Sequence, residues 1–257
     1  MMKTDINKAR SPWWWVPTLY FAEGLPYMAV MTISTIMYKC MGIGNTELAF
    51  YTAWLYLPWV IKPFWSPFVD IIRTKRWWVL MMQWCIGIAM AGVAFALPGD
   101  GFFQTTLAIF WLMAFASATH DIAADGFYML GLTEHQQSLF VGIRSLFYRI
   151  SMVVGQGVLV VVASQVSDMQ GEPSAGWVVV FGVLAVFFAL MALWHTWKLP
   201  RPDGDDFRSP KSGRMVVREF VETFSEFFRK PQVGVALLFM LLYRLPEAQL
   251  VKMIPPF

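Results

Sequence analysis

The sequence predicts an all-α polytopic membrane protein, and three observations predict it. Hydrophobic residues make up 57% of the 257 and charged residues 14%, against about 25% charge in a soluble domain, and mean hydropathy is +0.52. Apolar runs recur at about 20 residues, the length a helix needs to cross roughly 30 Å of hydrocarbon. No stretch alternates with the two-residue period of a strand. So little polar surface cannot coat a globule in water. The 17 Met, 13 Trp and 22 Phe suit a lipid-facing surface with aromatic belts at its edges.

In chain order, MMKTDINKAR is a basic tail leading into an apolar run longer than the core of a cleaved signal peptide, so a retained first span is expected. Spans are expected at 13–38, 47–69, 77–97, 104–130, 138–166 and 176–198, with a seventh beginning near 232. Breakers fall between them: Gly42 and Gly44, then Pro98 to Gly101, then Gly171 to Gly176 with Pro173. Within the first span, Gly24 and Pro26 follow Glu23; proline removes a donor and glycine loosens the turn, so a helix break is expected there. The stretch 199–230 opens as LPRPDGDDFRSPKSGR and turns amphipathic from Met215 to Phe228. The expected organisation is a six-helix domain over 1–198, a cytoplasmic linker with an amphipathic segment over 199–230, and the first helix of a truncated second domain over 231–257. An end at Pro255, Pro256 and Phe257, in or just past a seventh span, reads as a truncation.

Charge sets the orientation. Outside the spans, fourteen Lys and Arg lie in the N-terminal tail, after the second span and after the sixth, against Lys39 alone on the other side. The positive-inside rule then puts the N-terminus and the long linker in the cytoplasm. It also accounts for the net charge of +3 without nucleic acid, because the basic residues sit where they orient spans. Cys40 and Cys85 form no CxxC pair and have no His at metal spacing, so no metal, disulfide framework or cofactor is expected. Trp13, Trp14, Trp15, Trp77 and Trp78 read as interfacial anchors, and His195, close to Trp194 and Trp197, as interfacial. Tyr20, Tyr27, Trp54 and Tyr56 either pack or stack on a sugar if they line a cavity.

Ionisable groups at membrane depth cost at least about 2.5–3.5 kcal/mol each on insertion scales, so they face a cavity or a partner. This chain carries Glu23, Lys62, Asp121, Asp125, Arg144, Arg149, Arg244 and Glu247 within spans, which implies a wet interior. Asp121 and Asp125 share one helix face, and two close carboxylates favour holding a proton. Arg144 and Arg149, one span on, either neutralise them or grip an anionic substrate; the alternative is static ion pairs joining spans four and five. His120 adjoins the pair as a minor candidate for a proton relay. Lys62 is the expected partner of Glu23. Two aspartates one turn apart on one helix do not oppose each other as an intramembrane aspartyl protease requires, so no enzyme is expected.

The runs YFAEGLPY at 20–27, WVIKPFWSPFVD at 59–70, SATHDIAADGFYM at 117–129 and GIRSLFYRISM at 142–152 together resemble the AmpG-type muropeptide permeases. These are major facilitator superfamily proteins related to acetyl-coenzyme A transporters. Lys62, Pro67 and Asp70 resemble the family's second-span signature, Asp121 and Asp125 its fourth-span pair, and Arg149 after Tyr148 its fifth-span arginine. Asp70, Arg73, Lys75 and Arg76 resemble the superfamily's cytoplasmic gating motif, with Ser66 in place of the leading glycine. The resemblance implies the N-terminal six-helix bundle and one more helix of a secondary transporter in the bacterial inner membrane. It implies proton-driven import of peptidoglycan fragments bearing an anhydro-muramyl sugar and a short peptide. The implied partners are lipids, protons, the small-molecule substrate and the missing C-terminal half, without which the chain lacks an opposing wall. A carrier of another solute, such as acetyl-coenzyme A or a sugar, and a non-transporting membrane scaffold are the alternatives.

Overall fold

The protein is described from a computed structural model that covers residues 11–202, 204–205, 213–236, 238–239 and 242. The chain divides into one compact unit over Met1–Arg208 and another over Ser209–Phe257. Among the described residues all regular structure is helical, as expected of an all-α polytopic membrane protein.

In the first unit, a short 3-10 turn, Pro12–Trp14, precedes α1, which runs through Val16–Met28, a π-helical turn Ala29–Ile33 and Ser34–Cys40. The break expected at Gly24 and Pro26 does not occur. The helix continues through both, and the Ala29 N–H, next to need a partner, is shared between the carbonyls of Leu25 and Pro26. The irregularity appears one turn later, as the wider coil of Ala29–Ile33, a common way for a helix to absorb a local mismatch in its ladder.

The second span, α2, is a chain of short pieces: Asn45–Ala53, Trp54–Tyr56, Leu57–Ile61, Lys62–Phe64 and Ser66–Ile72, two of them 3-10. Pro58, Pro63 and Pro67 each open a new piece, because each lacks the N–H that would continue the preceding turn. Among the described residues four helices are long and apolar enough to cross a membrane: α3 (Lys75–Ala96), α4 (Phe102–Gly131), α5 (Glu134–Gln170) and α6 (Pro173–Lys198). Their ends follow local chemistry. Thr74 caps α3 by accepting from the Trp77 N–H. Thr133 and Gln136 form a reciprocal capping box at the start of α5. Gly171 closes α5 at φ 70°, a left-handed position suited to glycine. Like α1, α5 contains a π-helical turn, Val154–Leu159.

Helix α3 packs between α4 and α6, while α1 packs along α5 and α4. The larger core joins Leu25, Ile33, Met37 and Tyr38 of α1 to Ile86 and Met90 of α3, Phe110 and Met113 of α4, and Phe181 and Phe188 of α6. A second core gathers Trp15, Val16 and Leu19 around Phe127 and Phe140. Gly24 lets α1 lie against α5, where an added Cβ would fall 2.0 Å from Ser151 Oγ.

A chain of polar side chains crosses the dry side of this bundle. Thr18 Oγ1 lies 3.0 Å from His195 Nε2, His195 Nδ1 lies 3.0 Å from Gln83 Oε1, and Gln83 Nε2 lies 3.1 Å from His120 Nε2. It joins α1, α6, α3 and α4. Gln83, His120 and His195 are all buried, so each link offsets a desolvation cost that no water would. This corrects the expectation for His195, which is a core residue and not an interfacial one. Trp14 and Trp194 instead flank the Lys198 ammonium, which lies 4.9 and 5.0 Å from their rings.

In the second unit, helix α7 (Gly213–Arg229) carries the amphipathic segment, with Arg218 paired to Glu222 one turn on. The seventh span expected from about 232 falls largely outside the described residues, and Arg244, Pro246 and Glu247 lie outside them.

Candidate functional site

Five of the charges predicted within spans, Glu23, Asp121, Asp125, Arg144 and Arg149, converge on one cavity of about 420 Å³ in the first unit. Helix α1 contributes Tyr20 and Glu23, α4 contributes Asp121 and Asp125, and α5 contributes Arg144, Tyr148 and Arg149, with Ser145 and Met152 completing the lining. Each helix delivers its residues by its own period. Tyr20 and Glu23 are three apart, Asp121 and Asp125 four apart, and Arg144 and Tyr148 four apart, so each pair faces one way.

Two ion pairs divide the cavity. Lys62, on α2, bonds to Asp121 Oδ2. Arg144 Nη1 donates to Asp125 Oδ1 at 3.0 Å and to Tyr20 Oη at 3.0 Å, and Tyr20 in turn donates to the same Asp125 oxygen at 2.9 Å. The Arg144 guanidinium also sits 5.0 Å from the Tyr20 ring centroid and 5.1 Å from that of Tyr128. Arg144, Asp125 and Tyr20 thus tie α5, α4 and α1 together through one cation. The expected pair of Glu23 with Lys62 does not form. Lys62 spends its charge on Asp121, and Glu23 lies buried on α1 with Oε2 unpartnered among the described residues.

Arg149 lines the same cavity, is exposed, and makes no ion pair among the described residues. His120, next to Asp121 in sequence, points the other way into the Gln83 chain. The cavity and the adjoining Lys62 thus bring together three carboxylates and three cations, of which Arg149 and Glu23 stand outside the two ion pairs.

The residues that resemble the gating motif form a separate cluster at the start of α3. Lys75 Nζ pairs with Asp70, and the Arg73 guanidinium lies 5.8 Å from the Trp77 ring centroid. Arg76 donates from Nη2 to the Thr196 carbonyl at 2.6 Å. Asp205, which sequence reasoning passed over, accepts from the backbone N–H of Lys75 at 2.6 Å and of Arg76 at 3.0 Å, closing the N-terminus of α3. The acidic run Asp203, Asp205 and Asp206 was the only signal available for it.

The first unit thus holds paired charges around one cavity and a basic cluster between its second and third spans. Residues 18–257 match the family described as Major Facilitator Superfamily. The chain belongs to that superfamily. Among curated proteins, this major facilitator chain is 27% identical over 243 residues to the Anhydromuropeptide permease of Escherichia coli (strain K12), covering 90% of the chain and 45% of that protein. It is 22% identical over 256 residues to "Putative transporter AmpG 4" of Rickettsia conorii, covering 93% of the chain and 58% of that protein. The AmpG-type likeness read from the four motifs is thus borne out across most of the chain. The chain spans about half the length of the curated relatives it matches.

Proposed function

We propose that this chain is the N-terminal half of a proton-coupled carrier that imports peptidoglycan fragments of the anhydro-muropeptide class across the bacterial cytoplasmic membrane. Its N-terminus and linker face the cytoplasm, as the distribution of Lys and Arg favours. The observation that carries the reading is the cavity's unequal pairing: two cations bound to two aspartates, and a third cation, Arg149, left over beside a buried carboxyl, Glu23.

A free guanidinium in a polar cavity suits a carboxylate of the incoming peptide, which it grips with two parallel N–H bonds. The proton is held among Glu23, Asp121 and Asp125. Neutralising Asp125 removes the acceptor that holds both Arg144 and Tyr20, loosening α1 and α5 from α4. Neutralising Asp121 frees Lys62 and with it α2. Each protonation thereby favours one arrangement of the four helices over another, and it shifts the balance only by its differential affinity for the two. Asp70, Lys75 and Arg76 latch the cytoplasmic end in one of those arrangements.

The test is uptake of radiolabelled anhydro-muropeptide by cells expressing the full-length gene product, with and without a proton gradient. Gradient-dependent uptake that Asp125→Asn abolishes is expected. Uptake indifferent to both the gradient and Asp125→Asn refutes the mechanism, and gradient-driven uptake of a different solute alone reassigns the substrate.

A further inference from the structure

The amphipathic helix of the second unit, α7, reads GRMVVREFVETFSEFFR and carries an apolar stripe that the cavity chemistry does not use. At about 100° per residue, Val217, Phe220, Val221, Phe227 and Phe228 fall within about 120° of its circumference. Val217, Val221, Phe227 and Phe228 are each 44% to 59% exposed. A helix of 17 residues is marginal in water by itself and owes its stability to what covers its apolar face. The order of the charges says what that cover is.

Arg218 and Arg229 follow the stripe on one side, and Glu222 and Glu226 lie within about 20° of the line opposite its centre. Arg218 reaches down to pair with Glu222. An arginine beside an apolar stripe lays its stem along that surface and lifts its head to the level of phosphates. The two glutamates, at the far pole, stay in water. Apolar, then basic, then acidic is the sequence met on passing from acyl chains through headgroups to solvent, and it suits a helix lying flat in that interface. A groove in a protein imposes no such order.

Chain length brings a bilayer within reach. Helix α6, long and apolar enough to cross a membrane, ends at Lys198, and Asp205 holds the first N–H groups of α3, another such helix. Seven residues, 206–212, join Asp205 to Gly213, a reach of less than about 30 Å. On the other side, the apolar run VGVALLFMLLY begins at Val233, four residues after Arg229. A helix tethered this closely meets the lipid surface at high effective concentration, so even a weak intrinsic affinity is realised.

We propose that α7 lies flat in the headgroup layer of the leaflet at which α6 ends, with its Val and Phe stripe against acyl chains and Arg218 and Arg229 at the phosphates. The partner of the stripe is phospholipid, and the assignment is independent of the solute that the cavity takes.

The experiment reconstitutes the purified full-length protein, its native cysteines replaced by serine, in vesicles of phosphatidylethanolamine and phosphatidylglycerol. Nitroxide labels are attached singly through Val217→Cys, Val221→Cys, Glu222→Cys and Glu226→Cys, all exposed positions that accept a label without disturbing a core. Power-saturation electron paramagnetic resonance then reads how often each label collides with oxygen, which concentrates in lipid, and with a water-soluble nickel chelate. For a helix sunk by about 5–10 Å, the oxygen-to-chelate ratio is at least about threefold higher at Val217 and Val221 than at Glu222 and Glu226. A ratio alike at all four positions leaves the stripe in water. Labels at Val217 and Val221 shielded from oxygen and chelate together place it against protein. Either result overturns the proposal.

Discussion

Replacing Gly24 with alanine places a methyl group 2.0 Å from Ser151 Oγ, 3.2 Å from the Tyr148 carbonyl oxygen and 3.3 Å from Ser151 Cβ. Non-bonded heavy atoms rest at about 3.5–4.0 Å, so the hydroxyl must retreat by roughly 1.5 Å. It is not free to do so, since Ser151 is buried and its hydroxyl donates to the Tyr148 carbonyl at 2.6 Å. Overpacking of this kind costs about 1–3 kcal/mol, offset by about 1 kcal/mol of helix propensity gained over glycine. The net expectation is a loss of about 1–2 kcal/mol, and a shift of α5 that carries Tyr148 and Arg149 with it. Gly176→Ala is the harsher comparison. Its methyl would sit 1.8 Å from the Ala163 carbonyl oxygen and 2.6 Å from its carbon, backbone atoms that no rotamer can move. Thermal unfolding of the purified protein in detergent, followed by tryptophan emission, should rank wild type above Gly24→Ala and that above Gly176→Ala. Adding Ser151→Gly to Gly24→Ala should recover most of the loss, whereas Ser167→Gly should do little for Gly176→Ala. A Gly24→Ala protein as stable as wild type, or one that Ser151→Gly fails to rescue, refutes the close-packing argument for α1 and α5.

Gln83→Leu strips His120 and His195 of their shared partner in the dry core, at about 1–3 kcal/mol for each group left unpaired. It should lower the unfolding temperature clearly, and an unchanged value would show the polar chain to be idle. Asp205→Ala removes the acceptor for two N–H groups at the start of α3, worth about 1–2 kcal/mol as a cap. Hydrogen exchange at residues 75 and 76 should quicken, and exchange at the wild-type rate contradicts the cap. Lys62→Met and Asp121→Asn should each destabilise the protein, and the pair together should cost less than the sum, by about 0.5–3 kcal/mol in a double-mutant cycle. Strict additivity would dissolve the ion pair.

The spans were legible because lipid imposes a composition no water-soluble fold shares, and α3 to α6 sit within a few residues of their expected places. Asp121 and Asp125 were legible as a pair because helical period alone puts them on one face. Pairing between helices was not. Nothing in the sequence decides whether Lys62 reaches Glu23 or Asp121, since that depends on how α2 lies across α4 and how deeply α1 is pressed against α5 by the missing side chain at Gly24. His195 misled for a related reason. Its neighbours Trp194 and Trp197 flank it in sequence but point elsewhere, and the residue that explains it, Gln83, is 112 positions away. Asp205 hid in a polar linker, where a carboxylate that caps a helix looks like any solvated one. The break anticipated at Pro26 failed because one lost hydrogen bond is less than a packed helix needs in order to open.

The wide turns in α1 and α5 carry a consequence for anyone comparing related chains position by position. They pack against each other, with Gly155 against Met28, and each is equivalent to slipping one additional residue into an otherwise regular coil. Beyond Ile33, and again beyond Leu159, every side chain is rotated by about 100° from where uniform counting would put it. A homologue that lost a single residue in one wide turn would return that helix to regular winding and keep every downstream side chain on its present face, so each turn absorbs a one-residue difference in length without repacking its neighbours.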